Sequence, residues 1–259
     1  MTFASNLIRR YPRVYRTLAR MRFRWGSESV VTLPLGFKII SNRYSYVEQQ
    51  IRFGNFENHR AVFLRNAFVE NCKFIDIGAN VGFFSLLAAS LGCEVHSFEP
   101  DRQNAHRLMQ NIAANGFQSK VQVNNIALGE MRGRLPIYAP MSDNYGRISL
   151  VKDETSVVSD TVEVNTLDSV LVAPDERVVI KIDVEGFEEQ VLLGATKWLA
   201  SVKKGSLWII EVHQGQGVVL SRIMSFFPEY SLTFFDDSTG CERSLDDPPL
   251  GDPVLLARK

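Results

Sequence analysis

The stretch from Lys73 to Glu99 constrains the fold more than any other part of the chain. Lys73–Ile77 (KFIDI) is a short apolar run, and Gly78 and Gly82 punctuate the turn that follows it. Phe83–Leu91 is then apolar throughout, and Glu94–Phe98 leads to Glu99 and Pro100. A buried strand, a glycine turn, a buried helix and a second strand in that order predict a parallel pair joined by a helical crossover.

The alternation continues. Asp101 is placed to cap a helix on which Ala105, Leu108, Met109 and Ile112 share one face, and Asn115-Gly116 ends it. Val121–Ala127 reads as the third strand. Residues 128–177 hold alternating pieces at Leu135–Tyr138, Arg147–Val151 and Thr161–Val164, with a short helix after Thr166. That pattern predicts an antiparallel insertion plus one crossover helix. Val178–Ile182 is the fourth strand, followed by a turn at Asp183–Gly186 and a helix from near Phe187. Leu207–Val212 is the fifth strand. A helix around 218–227, a strand near Ser231–Phe235 and a last strand at Pro253–Ala257 complete the chain. The fold class expected is α/β, Rossmann-like, with a mostly parallel sheet covered by helices on both faces. Residues 1–53 read as a basic arm and a lead-in or cap, and residues 54–259 as the main domain, with an insertion at about 128–165.

Lys plus Arg and Asp plus Glu are both 29, so the net charge is zero. The balance argues against a dedicated nucleic-acid binder. It conceals seven arginines and no acid in residues 1–27, which leaves the remaining 232 residues at net −7. An arm of that kind suits an anionic membrane surface, a polyanion or an organelle transit peptide. Packing against the acidic body is the plainer expectation. The three cysteines, Cys72, Cys93 and Cys241, are odd in number and form no CxxC. That pattern predicts neither a disulfide framework nor a zinc site, and favours a reducing, cytoplasmic setting. No run of 18 apolar residues predicts a membrane span, and no apolar stretch after the basic arm reads as a secretory signal.

The turn itself points to a ligand. The dinucleotide fingerprint G-x-G-x-x-G fails here because Asn80 stands at the second glycine position. Asp76, just ahead of the turn, would repel a phosphate and attract a sulfonium or ammonium group. Glu99, at the tip of the second strand, is placed to accept ribose hydroxyls. A ligand with an adenosine ribose, a positive charge and no phosphate satisfies both acids, as S-adenosylmethionine does. Gly78 and Gly82 are expected to let it approach the backbone.

FIDIGANVGFFSLLAA, VHSFEPD, NNIALGE, VNTLDSVL, VVIKIDVEGFEEQVLLGA and WIIEVH, in that order, resemble the FkbM family of S-adenosylmethionine-dependent methyltransferases over roughly residues 54–257. The resemblance implies a class I methyltransferase fold, a seven-stranded sheet with a reversed last hairpin, and methyl transfer to an oxygen of a sugar, glycolipid or polyketide-like small molecule. It implies that Asp76, Gly78, Asn80 and Gly82 hold the methionine part of the cofactor and that Glu99 takes the ribose. It further implies that Asn125 and Ala127 lie beside the adenine. No nucleic acid is expected as partner, since neither Asn-Pro-Pro-Tyr nor Pro-Cys occurs.

Asp183 and Glu185 follow the fourth strand, where ligands of open α/β sheets sit. Either can stabilise a bound sulfonium or take a proton. His213 follows the fifth strand beside Glu211 and is the expected base if its imidazole is neutral. Lys181 is unusual inside a buried strand and calls for an acid partner. Asp183, Glu185 and Glu211 have no spacing that marks a dedicated metal cage, and no metal is expected. Tyr44, Tyr46, Glu57 and the segment Asp143–Gly146 are the expected acceptor contacts. A nicotinamide-dependent oxidoreductase and a non-catalytic binding module are the competing readings.

Overall fold

The computed structural model of the chain describes residues 28–42, 46–54, 56–68, 72–140, 148–152, 156–172, 175–213, 219–249 and 251–259. The arginine arm, Tyr44 and Asp143–Gly146 lie outside the described residues, as does the side chain of Tyr46.

The lead-in is a hairpin of β1 (Glu28–Thr32) and β2 (Lys38–Asn42), followed by α1 (Tyr46–Arg52) and α2 (Asn58–Ala67). The main body then runs β3 (Lys73–Ile77), α3 (Phe83–Ser90), β4 (Glu94–Phe98), α4 (Arg102–Asn115) and β5 (Val121–Asn124). The insertion holds β6 (Ala127–Leu128), β7 (Gly133–Pro140) and β8 (Ser156–Asn165). The body resumes with α5 (Leu167–Val170), β9 (Val178–Ile182), α6 (Glu188–Leu193), α7 (Thr196–Ser201), β10 (Leu207–Glu211), α8 (Leu220–Ser225), β11 (Ser231–Asp236), β12 (Cys241–Arg243) and β13 (Val254–Arg258).

The large sheet has the order β12-β11-β13-β10-β9-β3-β4-β5. The run from β10 to β5 is parallel, and β13, β11 and β12 are antiparallel additions at one edge. It therefore has eight strands, not the expected seven, because Cys241–Arg243 pairs onto the end of β11. The expected third strand also divides: β5 stays in the large sheet, and β6 joins β8 and β7 in a separate three-stranded sheet.

Alternation along each strand feeds two cores. Phe74, Val95, Val179 and Ile209 face a cluster with α3 and the lead-in, where Phe37, Ile39 and Leu64 are buried. Ile75, Ile77, Ile180 and Trp208 face the other cluster, with Val191, Trp198 and Ile223 from the helices after β9 and β10. Each fully buried aliphatic side chain of this kind stabilises the fold by roughly 1.5–3 kcal/mol. The helix ends follow the sequence: Asp101 accepts from the backbone N–H groups of Gln103 and Asn104, both at 2.9 Å, and Gly116 closes α4 at φ 72°. Asn111 of α4 joins the lead-in to the glycine turn. Its Oδ1 accepts from Ile40 N at 2.8 Å and its Nδ2 donates to the Val81 carbonyl at 2.8 Å.

Cys72 and Cys93 form a disulfide, contrary to the expectation of unpaired cysteines. They are 21 residues apart in the chain, but β3 and β4 start side by side, with Lys73 opposite Glu94, and this brings the two Cα atoms to 4.7 Å. Sequence spacing hides a pairing that strand register creates, and the ground for a reducing setting goes with it. Cys241 is free and exposed. No described helix is long and apolar enough to cross a membrane. Thiol titration of the denatured chain is expected to find one reactive cysteine without reductant and three after reduction; three in both would refute the bridge.

Candidate functional site

The carboxyl ends of β3, β4, β9 and β10 converge on a cavity of about 400 Å³, within the usual range for small-molecule sites. Gly78, Ala79, Asn80 and Val81 form its floor. Glu99, Pro100, Asn104, Ile126 and Ala127 line one end. Lys181, Asp183, Glu185, Glu211 and His213 line the other, with Phe56 and Glu57 of the lead-in and Ile148–Leu150 of the insertion alongside.

The glycines of the turn serve the protein's own packing first. Gly78 has φ 82°, and a Cβ there would lie 1.8 Å from the Asp183 carbonyl oxygen. Gly82 has φ 94°, and its Cβ would lie 2.2 Å from Leu108 Cδ1. Gly82 does not line the cavity, which corrects the expectation that it clears the way for a ligand.

Asp76 is corrected likewise. It is 1% exposed and lies beneath the turn, outside the cavity lining. Strand register explains this: Ser97, Asp76 and Lys181 stand opposite one another on β4, β3 and β9. The Asp76 carboxylate accepts from Ser85 Oγ at 2.6 Å and lies 3.9 Å from Lys181 Nζ. Burial raises its pKa, against the pull of Lys181 and Ser85. Lys181 has the acid partner its position demands: Nζ donates to Asp183 Oδ2 at 2.9 Å. Burial opposes the ammonium, but Asp183, Asp76 and Glu57 outweigh it and hold the pKa up. Burial also opposes the Asp183 charge, yet Lys181, Arg60 and His213 prevail and keep its carboxyl low.

Glu99 lines the cavity as expected. Its Oε2 accepts from Asn80 N at 2.8 Å and its Oε1 from Asp101 N at 2.9 Å. Burial, reinforced by Asp101, pushes it up to about 8. Asn80 is left-handed at φ 51°, and its Oδ1 accepts from Val81 N at 2.8 Å. Ala127 borders the cavity, but Asn125 does not. The Asn125 amide donates to the carbonyls of Glu99 (2.8 Å) and Pro100 (3.0 Å), so it braces the β4 tip instead of facing a ligand. Ile126 and Asn104 take its place in the lining.

His213 reaches the cavity, 5% exposed, between carboxylates. Nδ1 lies 3.0 Å from Glu188 Oε1, and Nε2 lies 3.3 Å from Glu185 Oε2 and 3.8 Å from Glu211 Oε1. Burial works against its charge, but the bond to Glu188 and the charges of Asp183 and Glu185 win and lift it to about 9. Carboxylates at both ring nitrogens favour the imidazolium over the neutral imidazole expected from the sequence. Glu185 takes a left-handed backbone at φ 53°, and its carbonyl accepts from Ser149 Oγ of the insertion at 2.5 Å. Asp183, Glu211 and His213 bring one donor atom each within 4.8 Å of one another. That donor set could take a divalent ion, but each member already has a charged protein partner: Lys181, Arg60 and Glu188.

Arg60 and Glu188 escaped the sequence reading. Arg60 of α2 is buried and donates to Glu211 Oε2 at 2.6 Å and to Asp237. Its Nη1 also pairs with Glu57 Oε2 at 2.9 Å. Burial, reinforced by Asp183, raises Glu211. No local pattern marks Arg60 as part of the site, because Glu211 and Asp237 are distant from it in sequence. Glu188 sits one residue past an apolar Phe187 in a helix start and reads as an ordinary first-turn acid, yet it is fully buried.

The Methyltransferase FkbM domain matches residues 76–232, more than half of the chain. No functionally curated protein matches. Among solved structures, a methyltransferase FkbM from Methylobacillus flagellatus is similar at 18% identity and TM-score 0.49, over 98% of this chain and 60% of that one. A TehB-like SAM-dependent methyltransferase from Corynebacterium glutamicum is similar at 12% identity and TM-score 0.48, over 82% and 92%. A Streptococcus mutans protein described as a methyltransferase and solved with SAH is similar at 11% identity and TM-score 0.47, over 77% and 95%. The chain spans about 60% of the length of the Methylobacillus protein. With the strand order, the turn at Gly78 and the acid at Glu99 in place, the chain belongs to the FkbM family of class I methyltransferases, whose cofactor is S-adenosylmethionine.

Proposed function

We propose that the protein transfers a methyl group to a hydroxyl oxygen of a sugar, glycolipid or polyketide-like small molecule. The carrying observation is the charge of the cavity. Its lining carries six acidic side chains, Glu57, Glu99, Asp183, Glu185, Glu211 and Asp252, beside Lys181 and His213; burial favours the neutral form of Glu57, Glu99 and Glu211, while Lys181 keeps Asp183 ionised. Such a wall favours a cationic ligand and disfavours a pyrophosphate. The acids and the open floor at Gly78–Asn80 fit S-adenosylmethionine.

Bound there, the cofactor supplies an electrophilic methyl group. Glu99 is the residue for the ribose hydroxyls, and Ile126 and Ala127 offer an apolar edge to the adenine. Asp183, pinned by Lys181, keeps a fixed negative charge beside the sulfonium end. His213, as imidazolium, holds Glu185 and Glu188 in place. Phe56, Glu57 and Ile148–Leu150 exclude water and position the acceptor. Holding both reactants in a near-attack geometry contributes about 7–11 kcal/mol in favourable cases.

Calorimetry with S-adenosylhomocysteine tests the cofactor site. The wild-type chain is expected to bind it and Glu99→Ala to bind about 10-fold more weakly, the loss of a hydrogen-bond acceptor in a buried site being worth roughly 1–3 kcal/mol. Binding of NADH in its stead would defeat the reading. Labelled methyl transfer to panels of glycans, lipids and polyketides tests the acceptor class.

The raised His213 has a pH consequence. A histidine held near 9 contributes stability that is complete below its ordinary value of 6.5 and fades as pH rises through 9. Imidazole NMR titration of the wild-type chain should place it above neutrality, and Glu188→Gln should lower it. An ordinary histidine titration in both proteins would contradict the imidazolium.

A further inference from the structure

Glu57 differs from the other acids of the cavity in where it comes from and how it is held. It belongs to the lead-in, outside residues 76–232 matched by the family. Its backbone is left-handed (φ 41°, ψ 42°) at the residue before α2, and its side chain makes no capping bond to that helix. An acid at this position ordinarily accepts from the helix N–H groups. A left-handed non-glycine is strained and persists where its surroundings enforce it, often at functional sites. Here the side chain turns to Arg60 and borders the cavity.

The neighbouring acids are committed elsewhere. Asp183 accepts from Lys181, Glu211 accepts from Arg60, Glu185 faces His213, and Glu99 accepts two backbone N–H groups. Glu57 Oε2 is close enough to Arg60 to pair but lacks hydrogen-bond alignment, and it is buried with no hydrogen-bond partner among the described residues. Arg60 cannot follow it, because Glu211 and Asp237 anchor the same guanidinium.

We propose that Glu57 accepts the proton of the acceptor hydroxyl, an inference that rests on the hydroxyl-methylation reading above. The O–H bond breaks, its electron pair stays on the acceptor oxygen, and the proton bonds to a carboxylate oxygen of Glu57. A neutral acid is left beside Arg60, and the oxygen carries the negative charge it needs as a nucleophile. The electrostatics agree. Burial lifts Glu57 to about 7, Arg60 and Lys181 pull it down, and Asp183 and Glu211 push it up. Glu99, Glu185, His213 and Asp252 are the remaining titratable groups lining the same cavity, and Asp237 acts on Glu57 through Arg60. A base works best when its pKa lies near the working pH.

The test uses the full chain as wild type, Glu57→Gln and Glu57→Gly; glycine suits the left-handed backbone, so the second variant removes the carboxylate without strain. Infrared difference spectra across neutral pH, without ligand, should show a carboxyl band in the wild type that both variants lack, beyond the band of Glu99. With labelled S-adenosylmethionine and a mixture of methyl glucoside and methyl rhamnoside as probes, Glu57→Gln should lower kcat by roughly 10²–10⁴-fold. The acid limb of its pH profile should disappear, and S-adenosylhomocysteine should bind as in the wild type. Formate should restore turnover to Glu57→Gly. Wild-type turnover in Glu57→Gln, an identical infrared titration in all three, or no response to formate would overturn the assignment. Failure of the wild type to bind S-adenosylhomocysteine would sink the methyltransferase reading instead.

Discussion

An ammonium group buried in the middle of a parallel sheet is the interaction on which the site depends. Lys181 is 3% exposed, and its Nζ sits between Asp76 and Asp183 and over the ring of Phe84. A buried charge is tolerated only when paired and bonded. Lys181 meets that demand by fixing two carboxylates at once, one beneath the glycine turn and one at the β9 tip. Without the cation those two acids would be like charges in a dry interior, and the turn at Gly78, packed against the Asp183 carbonyl, would lose its reference.

The same arrangement repeats at the next strand. Arg60 joins Glu57, Glu211 and Asp237, and His213 joins Glu185 and Glu188. Lys181, Arg60 and His213 each gather two or more of the surrounding carboxylates, so most of the acids are oriented by a neighbouring cation. The lead-in takes part through Arg60 as well as through its apolar packing, and its Phe56 and Glu57 reach the cavity from outside the family's shared segment.

The strands and helices of the body were legible because each has its own local signal: apolar runs at β3, β4, β9 and β10, the Asp101 cap, and the Asn115-Gly116 stop. The tips of those strands were legible for the same reason, which is why Glu99, Asp183, Glu185 and His213 all reach the cavity. What register decides was hidden. The period of two along β3 turns Asp76 away from the cavity, and only the alignment with Ser97 and Lys181 shows what it does there. Asn125, which the resemblance places beside the adenine, lies outside the cavity lining, and its amide nitrogen donates to the carbonyls of Glu99 and Pro100. The state of His213 depends on Glu188, Glu185 and Asp183, residues that nothing in the neighbourhood of His213 reveals. Cys72 and Cys93 became partners only when two parallel strands were laid side by side.

That bridge has a consequence for the ligand floor. The loop it closes, spanning 21 positions, contains β3, the glycine turn and α3, which is the whole base of the cavity. A cross-link over a loop of this length restricts the unfolded chain by about 3 kcal/mol on the chain-entropy account. Local fraying of the floor is thus suppressed from the end of the strands opposite the cavity.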